Sequence, residues 1–236
     1  MLKKQKTKRS KVTTLVNFIL DKSGSMGSIQ DSVISGFNEY INSLRNKKGT
    51  FKFSLTMFDT ESIETPYVDV DIDSVKNLSR DTYVPNAGTP LYDAVVDTIE
   101  AIYEKVQNKK NYAIVTVIMT DGEENSSRKH DQKCMKDLIH KLESEGNWTF
   151  TFMGANIDAY EAAHQFGISM GNTVTWQSTL AGTQNAFRGF ADATANYAMV
   201  MSVAGGGGGS GVLNTKSFYR KEDRDLIEKG DDKNVT

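Results

Sequence analysis

Short apolar runs alternate along the chain with longer segments in which apolar residues recur every three or four positions. Apolar runs rich in β-branched and aromatic residues are typical of strands, whereas the three-to-four spacing is typical of amphipathic helices. The runs predict six strands, at Thr14–Leu20, Phe51–Phe58, Ile63–Ile72, Ala113–Met119, Trp148–Met153 and Thr173–Trp176. The segments predict five helices, over 29–44, 89–106, 127–145, 160–166 and 180–203.

Two of these strands carry polar residues in a way that suggests their place in a sheet. Phe51–Phe58 alternates apolar and polar residues, which predicts one polar face. Ile63–Ile72 also alternates but contains Pro66, which favours an edge position. Strands alternating with helices predict an α/β fold, a doubly wound, mostly parallel sheet with one antiparallel edge strand and helices on both faces.

The composition of the chain excludes several classes of protein. The 236 residues contain one cysteine and three histidines, which excludes an internal disulfide framework and a Cys-rich zinc site. No apolar stretch approaches the ~20 residues that span a bilayer, and the start of the chain does not resemble a signal peptide. We therefore expect a cytoplasmic protein, or one carried in a phage particle assembled in the cytoplasm.

Charge and glycine content divide the chain into four parts. Residues 1–11 carry six Lys or Arg and predict a basic flexible arm, so the net charge of −2 becomes −8 when those six positive charges are set aside. Residues 12–203 form the predicted domain. Residues 204–211 predict a Gly-rich linker, and residues 212–236 a charged tail. The arm favours at most weak contact with nucleic acid.

Three oxygen-rich segments fall where ligands bind in such a fold, at the carboxyl ends of strands. Asp21-Lys22-Ser23-Gly24-Ser25 follows the first strand, Thr89-Pro90 begins a helix, and Thr120-Asp121 follows the strand Ala113–Met119. Hydroxyl and carboxylate oxygens suit Mg²⁺, Mn²⁺ or Ca²⁺ rather than zinc. The sequence therefore predicts a metal site built from oxygen ligands.

At these residues the chain resembles the von Willebrand factor type A (VWA) domain with its metal-ion-dependent adhesion site. The likeness is greatest to small, stand-alone bacterial and phage VWA proteins, through the segments ILDKSGSM, GTPLYDAV, TDGEENSS and FTFMGANIDA. The resemblance implies a complete site whose five metal residues are Asp21, Ser23, Ser25, Thr89 and Asp121.

The same resemblance implies how those residues would act and what they would bind. Ser23, Ser25 and often Thr89 would touch the metal directly, while Asp21 and Asp121 would act mainly through water or hydrogen bonds. The ion, best matched by Mg²⁺, would then bridge to an Asp or Glu of a partner protein. The implied function is metal-dependent protein binding without catalysis.

Two other classes of function remain open from the sequence. Asp21 at a strand end could be the nucleophile of a Mg²⁺-dependent phosphoryl-transfer enzyme, although Ser23 stands where such hydrolases carry a second Asp. The charged ends of the chain could instead serve a structural or assembly component of a phage particle or a bacterial multiprotein complex.

Several other residues invite a functional interpretation but favour a structural one. We expect Glu123 and Glu124 to be solvated loop residues, Asp158 to cap a helix, and Asn156 to lie in a turn beside it. We expect Asp69, Asp71 and Asp73 to lie on the solvent-exposed face of an edge strand. Cys134 is expected to be a packed thiol, and His130, His140 and His164 to be surface or packing histidines.

Overall fold

A computed structural model describes residues 11–155, 158–177, 179–204 and 216–229. Six strands and six α-helices follow one another along these residues. The strands are β1 (Thr13–Asp21), β2 (Phe51–Phe58), β3 (Ile63–Asp71), β4 (Tyr112–Thr120), β5 (Trp148–Ala155) and β6 (Thr173–Trp176). The helices are α1 (Gln30–Asn46), α2 (Leu91–Val106), α3 (Gln132–Ser144), α4 (Ala159–Gln165), α5 (Leu180–Ala204) and α6 (Lys221–Lys229).

The six strands form one sheet in the order β3-β2-β1-β4-β5-β6. Every neighbouring pair is parallel except β2 and β3, which are antiparallel and place β3 at an edge. The predicted fold class is therefore confirmed. Strand β1 lies between β2 and β4, so the carboxyl ends of these three strands meet at one edge of the sheet.

Helices cover both faces of the sheet and create two apolar cores. On one face, α1 and α5 pack over an aromatic cluster in which the ring of Phe18 on β1 contacts Phe37 and Phe187. On the other face, α2, α3 and α4 pack against residues such as Ile19 and Phe152. These two layers bury the strands, so that the sheet edge holding the oxygen-rich segments has a rigid support.

The polar face predicted for β2 is present, but it is buried rather than exposed to solvent. Ser54 and Thr56 are fully buried, because α2 covers the face on which they lie. Their hydroxyls are satisfied within the sheet: Ser54 Oγ accepts from the backbone N–H of Asp69, and Thr56 Oγ1 lies 3.2 Å from Thr65 Oγ1. An alternating pattern here reflects hydrogen bonding to the edge strand rather than exposure to water.

The third long helix begins later than the spacing predicts, at Gln132 instead of Ser127. Two carboxylates bind the backbone of the intervening segment. Glu124 accepts from the N–H of Ser127, and Asp93 on α2 accepts from the N–H groups of Arg128, Lys129 and His130. The segment is thereby tied to the first turn of α2 instead of forming helix.

The charged tail contains a segment that packs against the domain. Phe218, Tyr219 and Ile227 are buried among residues of the α1–α5 core, and the phenol oxygen of Tyr219 accepts a 2.8 Å hydrogen bond from the buried Thr151 Oγ1. The arm, apart from Lys11, and the linker, apart from Ala204, lie outside the described residues, so the four-part division stays a prediction. Within the described ranges, no helix combines the length and apolarity that crossing a bilayer requires.

Candidate metal centre

The three oxygen-rich segments meet at the carboxyl edge of the central strands. Asp21 is the last residue of β1, and Asp121 follows the last residue of β4. The two strands are parallel neighbours, with Leu20 opposite Met119, so Asp21 lies level with Thr120, one residue before Asp121. Thr89 lies two residues before α2, in the segment that passes over this edge. Three segments that are far apart in the sequence, around Asp21, Thr89 and Asp121, thus converge at one edge of the sheet.

A tight turn shapes the first segment. Asp21 Oδ1 accepts a 2.6 Å hydrogen bond from the backbone N–H of Ser23, and a 3₁₀ helix, Gly24–Ile29, follows. The N–H of Gly24 donates to the carbonyl of Ala87 at 3.0 Å. The Asp21 carboxylate thus closes the turn. The side chains of Ser23 and Ser25 lie on the same side of this turn, with their hydroxyl oxygens 3.1 Å apart.

A chain of hydrogen bonds joins this turn to the third segment. Ser25 Oγ donates to Asp121 Oδ1 at 2.7 Å. The other oxygen of Asp21, Oδ2, accepts from Thr120 Oγ1 at 2.6 Å. The structure therefore brings together Asp21, Ser23, Ser25 and Asp121, four of the five residues that the sequence singles out.

Thr89, the fifth residue, is placed by contacts with the third segment. Its backbone N–H donates to Asn125 Oδ1 at 2.9 Å, and its carbonyl accepts from the N–H of Asn125 at 3.2 Å. A Cβ atom added to Gly122 would lie 3.5 Å from Thr89 Oγ1 and 3.5 Å from Ser25 Oγ. The two hydroxyls thus lie around one point beside Gly122, and all five predicted residues share the site.

Burial makes the two carboxyl groups costly to ionise. The pKa of Asp21 is raised to about 6: burial is the largest cause, hydrogen bonds from Thr120 and Ser23 act to lower it, and the charge of Asp121 adds to the increase. Burial also raises the pKa of Asp121, against the lowering effect of its bond from Ser25. A cation at this edge would offset the cost of ionising both groups.

The donor set matches the chemistry of a hard divalent cation. Two adjacent oxygen ligands of octahedral Mg²⁺, each at ~2.0–2.1 Å, are about 2.9 Å apart. The Ser23–Ser25 and Ser25–Asp121 oxygen separations, 3.1 and 2.7 Å, bracket that spacing. Across the described part of the chain, no three His, Cys, Asp or Glu side chains gather in a metal-binding arrangement. The five site residues include neither His nor Cys, which are the usual ligands of zinc.

Glu123 and Glu124, equivalent in the sequence, differ in the structure. Glu123 is exposed, as expected, and lines a cleft of about 280 Å³ together with Gly122 and Tyr92. The expectation for Glu124 was wrong. Its carboxylate accepts from the N–H group of Tyr92 at the start of α2 and from the N–H groups of Ser126 and Ser127 in its own loop. Glu124 therefore holds the loop of Asp121 against α2.

The structure also decides most of the remaining expectations. Asp158 caps α4 by accepting from the N–H of Glu161, as predicted, whereas Asn156 lies outside the described residues. Asp71 and Asp73 are exposed, but the carboxylate of Asp69 is buried and ion-paired with Lys109 at a β-bulge. Asp69 is thus not part of a solvent-exposed strand face, because the bulge turns its side chain inward.

The cysteine and its neighbouring histidine have contacts that the sequence did not reveal. Cys134 Sγ lies 3.6 Å from His130 Nδ1, and His130 Nε2 lies 2.9 Å from Asp97 Oδ1. Burial and the nearby carboxylates, Asp131 first among them, raise the pKa of the Cys134 thiol. A raised pKa disfavours the nucleophilic thiolate, which agrees with a packed thiol.

Three supporting residues of the metal centre escaped the sequence analysis. Thr120 was noted only as the neighbour of Asp121, yet its hydroxyl binds Asp21. Tyr83 is fully buried and donates to the carbonyl of Asp21 at 2.7 Å, and Asn125 holds Thr89. Tyr83 and Asn125 carry no local signal, because their partners lie 62 and 36 positions away.

The sheet order, the antiparallel edge and the helices on both faces define an α/β fold of the VWA type. Among solved structures, the VWA structure from Catenulispora acidiphila matches with a TM-score of 0.52 and 15% identity, covering 79% of this chain and 43% of that chain. Proximal thread matrix protein 1 from the mussel byssus matches with a TM-score of 0.56 and 14% identity, covering 80% and 47%. This chain thus spans less than half the length of each. No protein-family model matches the sequence, and no curated protein matches it significantly.

Proposed function

We propose that the chain is a divalent-metal-dependent protein-binding module. One observation carries the proposal: the hydroxyls of Ser23 and Ser25 and the carboxylate of Asp121 form a hydrogen-bonded row at the sheet edge. The Asp21 carboxylate accepts from the backbone N–H of Ser23 and so holds this row in place, and the Thr89 hydroxyl lies beside the row. These five residues would hold a Mg²⁺-like ion, with Mn²⁺ or Ca²⁺ as alternatives.

The exposure of the site favours a partner protein as the remaining ligand. Asp21, Ser23 and Thr89 are buried, whereas Ser25 is exposed, so the row opens to solvent on the side of Ser25. A bound divalent ion held mainly by neutral hydroxyls supplies a Lewis-acidic position that attracts a carboxylate oxygen. An Asp or Glu side chain of a partner is the ligand that this chemistry recognises.

The environment of Asp21 favours binding over catalysis. Its side chain is fully buried, and its two oxygens accept from Ser23 and Thr120. A nucleophile for phosphoryl transfer needs an oxygen that can approach the phosphorus atom. We therefore propose a module that is not an enzyme, and phosphatase activity abolished by Ser25→Ala would contradict this part of the proposal.

An assembly role is the second possibility, and it would use the same face. The basic arm and the linker on which that prediction depends lie outside the described residues. One solved structure of similar fold is, by its name, a matrix protein of the mussel byssus. A phage or bacterial source and a cytoplasmic location remain part of the same proposal.

Affinity capture in Mg²⁺ and again in EDTA tests the proposed function. Ser25→Ala removes one predicted ligand from an exposed position, and Ser28→Ala, an exposed serine in the same 3₁₀ helix, is the matched control. We expect a partner that is captured by the wild type and Ser28→Ala in Mg²⁺, and released by EDTA or Ser25→Ala. A partner retained equally in EDTA would overturn the metal bridge.

A further inference from the structure

Lys22, inside the first oxygen-rich segment, directs its side chain away from the hydroxyl row. Its ammonium is 2.8 Å from Glu64 Oε1, 2.9 Å from Ser62 Oγ and 3.1 Å from Asp59 Oδ2. The side chains of Lys22 and Asp59 are 9% and 2% exposed, so this pair is held out of water. A charged group buried this deeply depends on its partners and fixes their positions.

The partners of Lys22 belong to the turn between β2 and β3, residues 59–62, and to the start of β3. Asp59 Oδ1 accepts from the backbone N–H groups of Glu61 and Ser62, at 2.7 and 2.8 Å, which closes the turn. Lys22 binds the other oxygen of the same carboxylate. The ammonium therefore sets the orientation of the whole turn relative to β1.

Thr60, at the tip of this turn, holds the segment that carries Thr89. The N–H of Thr60 donates to the carbonyl of Gly88 at 3.2 Å, and the N–H of Gly88 donates to Thr60 Oγ1 at 3.1 Å. Gly88 is bonded to Thr89. A second connection runs through the backbone, because the N–H of Asn86 donates to the carbonyl of Lys22 at 2.8 Å.

We propose that Lys22 is a positioning residue for the metal centre, which fixes the hydroxyl of Thr89 against those of Ser23 and Ser25 through the 59–62 turn. This inference rests on the proposed metal function. Removing the ammonium leaves Asp59 buried without a counter-charge, so the turn rearranges and Gly88 loses its reciprocal bonds with Thr60. The hydroxyl of Thr89 then leaves the position that the other ligands define.

Lys22→Met tests the role, because methionine keeps most of the stem and removes the charge. Lys109→Met is the matched control: Lys109 pairs with the buried carboxylate of Asp69 at the other end of the same edge strand. The first readout needs no metal. Hydrogen exchange of the Gly88 amide, followed by NMR, is expected to accelerate at least tenfold in Lys22→Met and to match the wild type in Lys109→Met.

The second readout is the affinity for Mn²⁺, measured by electron paramagnetic resonance. We expect Lys22→Met to weaken binding by roughly 10-fold or more, as removal of a residue supporting a metal ligand commonly does. In a Thr89→Ala background the same substitution is expected to have little further effect, because the two act on one ligand. Thr60→Ala, at an exposed position, is expected to weaken binding too and replaces Lys22→Met if that variant does not fold.

Unchanged exchange of Gly88 together with wild-type Mn²⁺ affinity in a folded Lys22→Met variant would overturn the inference. Equal weakening in Lys109→Met would also overturn it, because the effect would then be a general loss of stability. A wild type that binds no Mn²⁺ would overturn the proposed function, and the exchange of Gly88 would still decide whether Lys22 positions that segment.

Discussion

Ser25 Oγ donates a 2.7 Å hydrogen bond to Asp121 Oδ1, although 96 positions separate the two residues. The bond links the turn after β1 to the loop after β4, and it exists because these strands are parallel neighbours with a matching register. The same bond orients the Asp121 carboxylate toward the hydroxyl row. The candidate metal centre is thus a product of the sheet order.

Gly122→Ala is expected to weaken divalent-metal binding while leaving the fold intact. The new methyl group would lie 3.5 Å from Ser25 Oγ and from Thr89 Oγ1, an ordinary contact that causes no clash. It would nevertheless crowd the space around which the two hydroxyls lie. Calorimetric titration with Mg²⁺ and thermal unfolding in EDTA measure the two effects. A variant that binds Mg²⁺ as the wild type does would contradict this geometry.

Tyr83→Phe is expected to destabilise the protein by ~1–2 kcal/mol, because it leaves the buried carbonyl of Asp21 without its donor. Burial raises the pKa of the Tyr83 phenol well above its usual range, and the charges of Asp21 and Asp121 add to this, so the hydroxyl remains a donor. Urea unfolding in EDTA measures the loss. Unchanged stability would show that the bond does not support the site.

Glu143→Gln is expected to remove part of the pH dependence of stability. Burial raises the pKa of Glu143 to about 7, opposed by a backbone hydrogen bond from Phe150 and by the charge of Lys216, and its Oε1 is buried without a hydrogen-bond partner. The native state thus favours the protonated form. The stabilising contribution of the protonated Glu143 carboxyl is complete below pH ~4.5, which is its pKa in the unfolded chain. The contribution is lost as the pH rises through about 7, its pKa in the folded protein.

The glutamine variant should therefore gain stability relative to the wild type between pH 5 and pH 8, by on the order of 1 kcal/mol after allowance for partial exposure. Urea unfolding at several pH values gives the comparison, with Glu104→Gln, at an exposed position, as the control. A difference between Glu143→Gln and the wild type that stays constant with pH would contradict the assignment.

Gly36→Ala is expected to destabilise the fold, against the usual preference of helices for alanine. A Cβ atom at Gly36 on α1 would lie 2.2 Å from Cδ2 of Phe187 on α5, inside the aromatic core. Overpacking of this kind typically costs ~1–3 kcal/mol. Ser35→Ala, at the exposed neighbouring position, is the control, and its stability should not fall. If Gly36→Ala were as stable as the wild type, α1 and α5 would have to be farther apart than this contact with Phe187 implies.

The layout of the fold could be predicted because it depends on local patterns. The apolar runs of β1 and β4 identify two strands buried on both faces, and four of the five site residues lie at or just after their carboxyl ends, while Thr89 precedes α2. Hydrophobic spacing also located α2 and α5 to within two residues at each end. These features need only the residues of the element itself.

The features that could not be predicted depend on contacts between distant segments. Glu123 and Glu124 are chemically identical, and only the position of the N–H groups around Tyr92 and Ser126 makes one of them structural. The partner of Lys22, Glu64, is 42 positions away. The late start of α3 has the same cause, because Asp93 on α2 supplies the competing acceptor.

The most direct test of the central claim is a Mn²⁺ titration of the wild type and Ser25→Ala, followed by electron paramagnetic resonance. Ser25 is exposed, so its substitution should leave the fold unchanged while it breaks the row between Ser23 and Asp121. The account predicts one Mn²⁺ per wild-type chain, displaced by excess Mg²⁺, and binding at least ~10-fold weaker in Ser25→Ala. Equal binding by the two proteins, or none by the wild type, would contradict it.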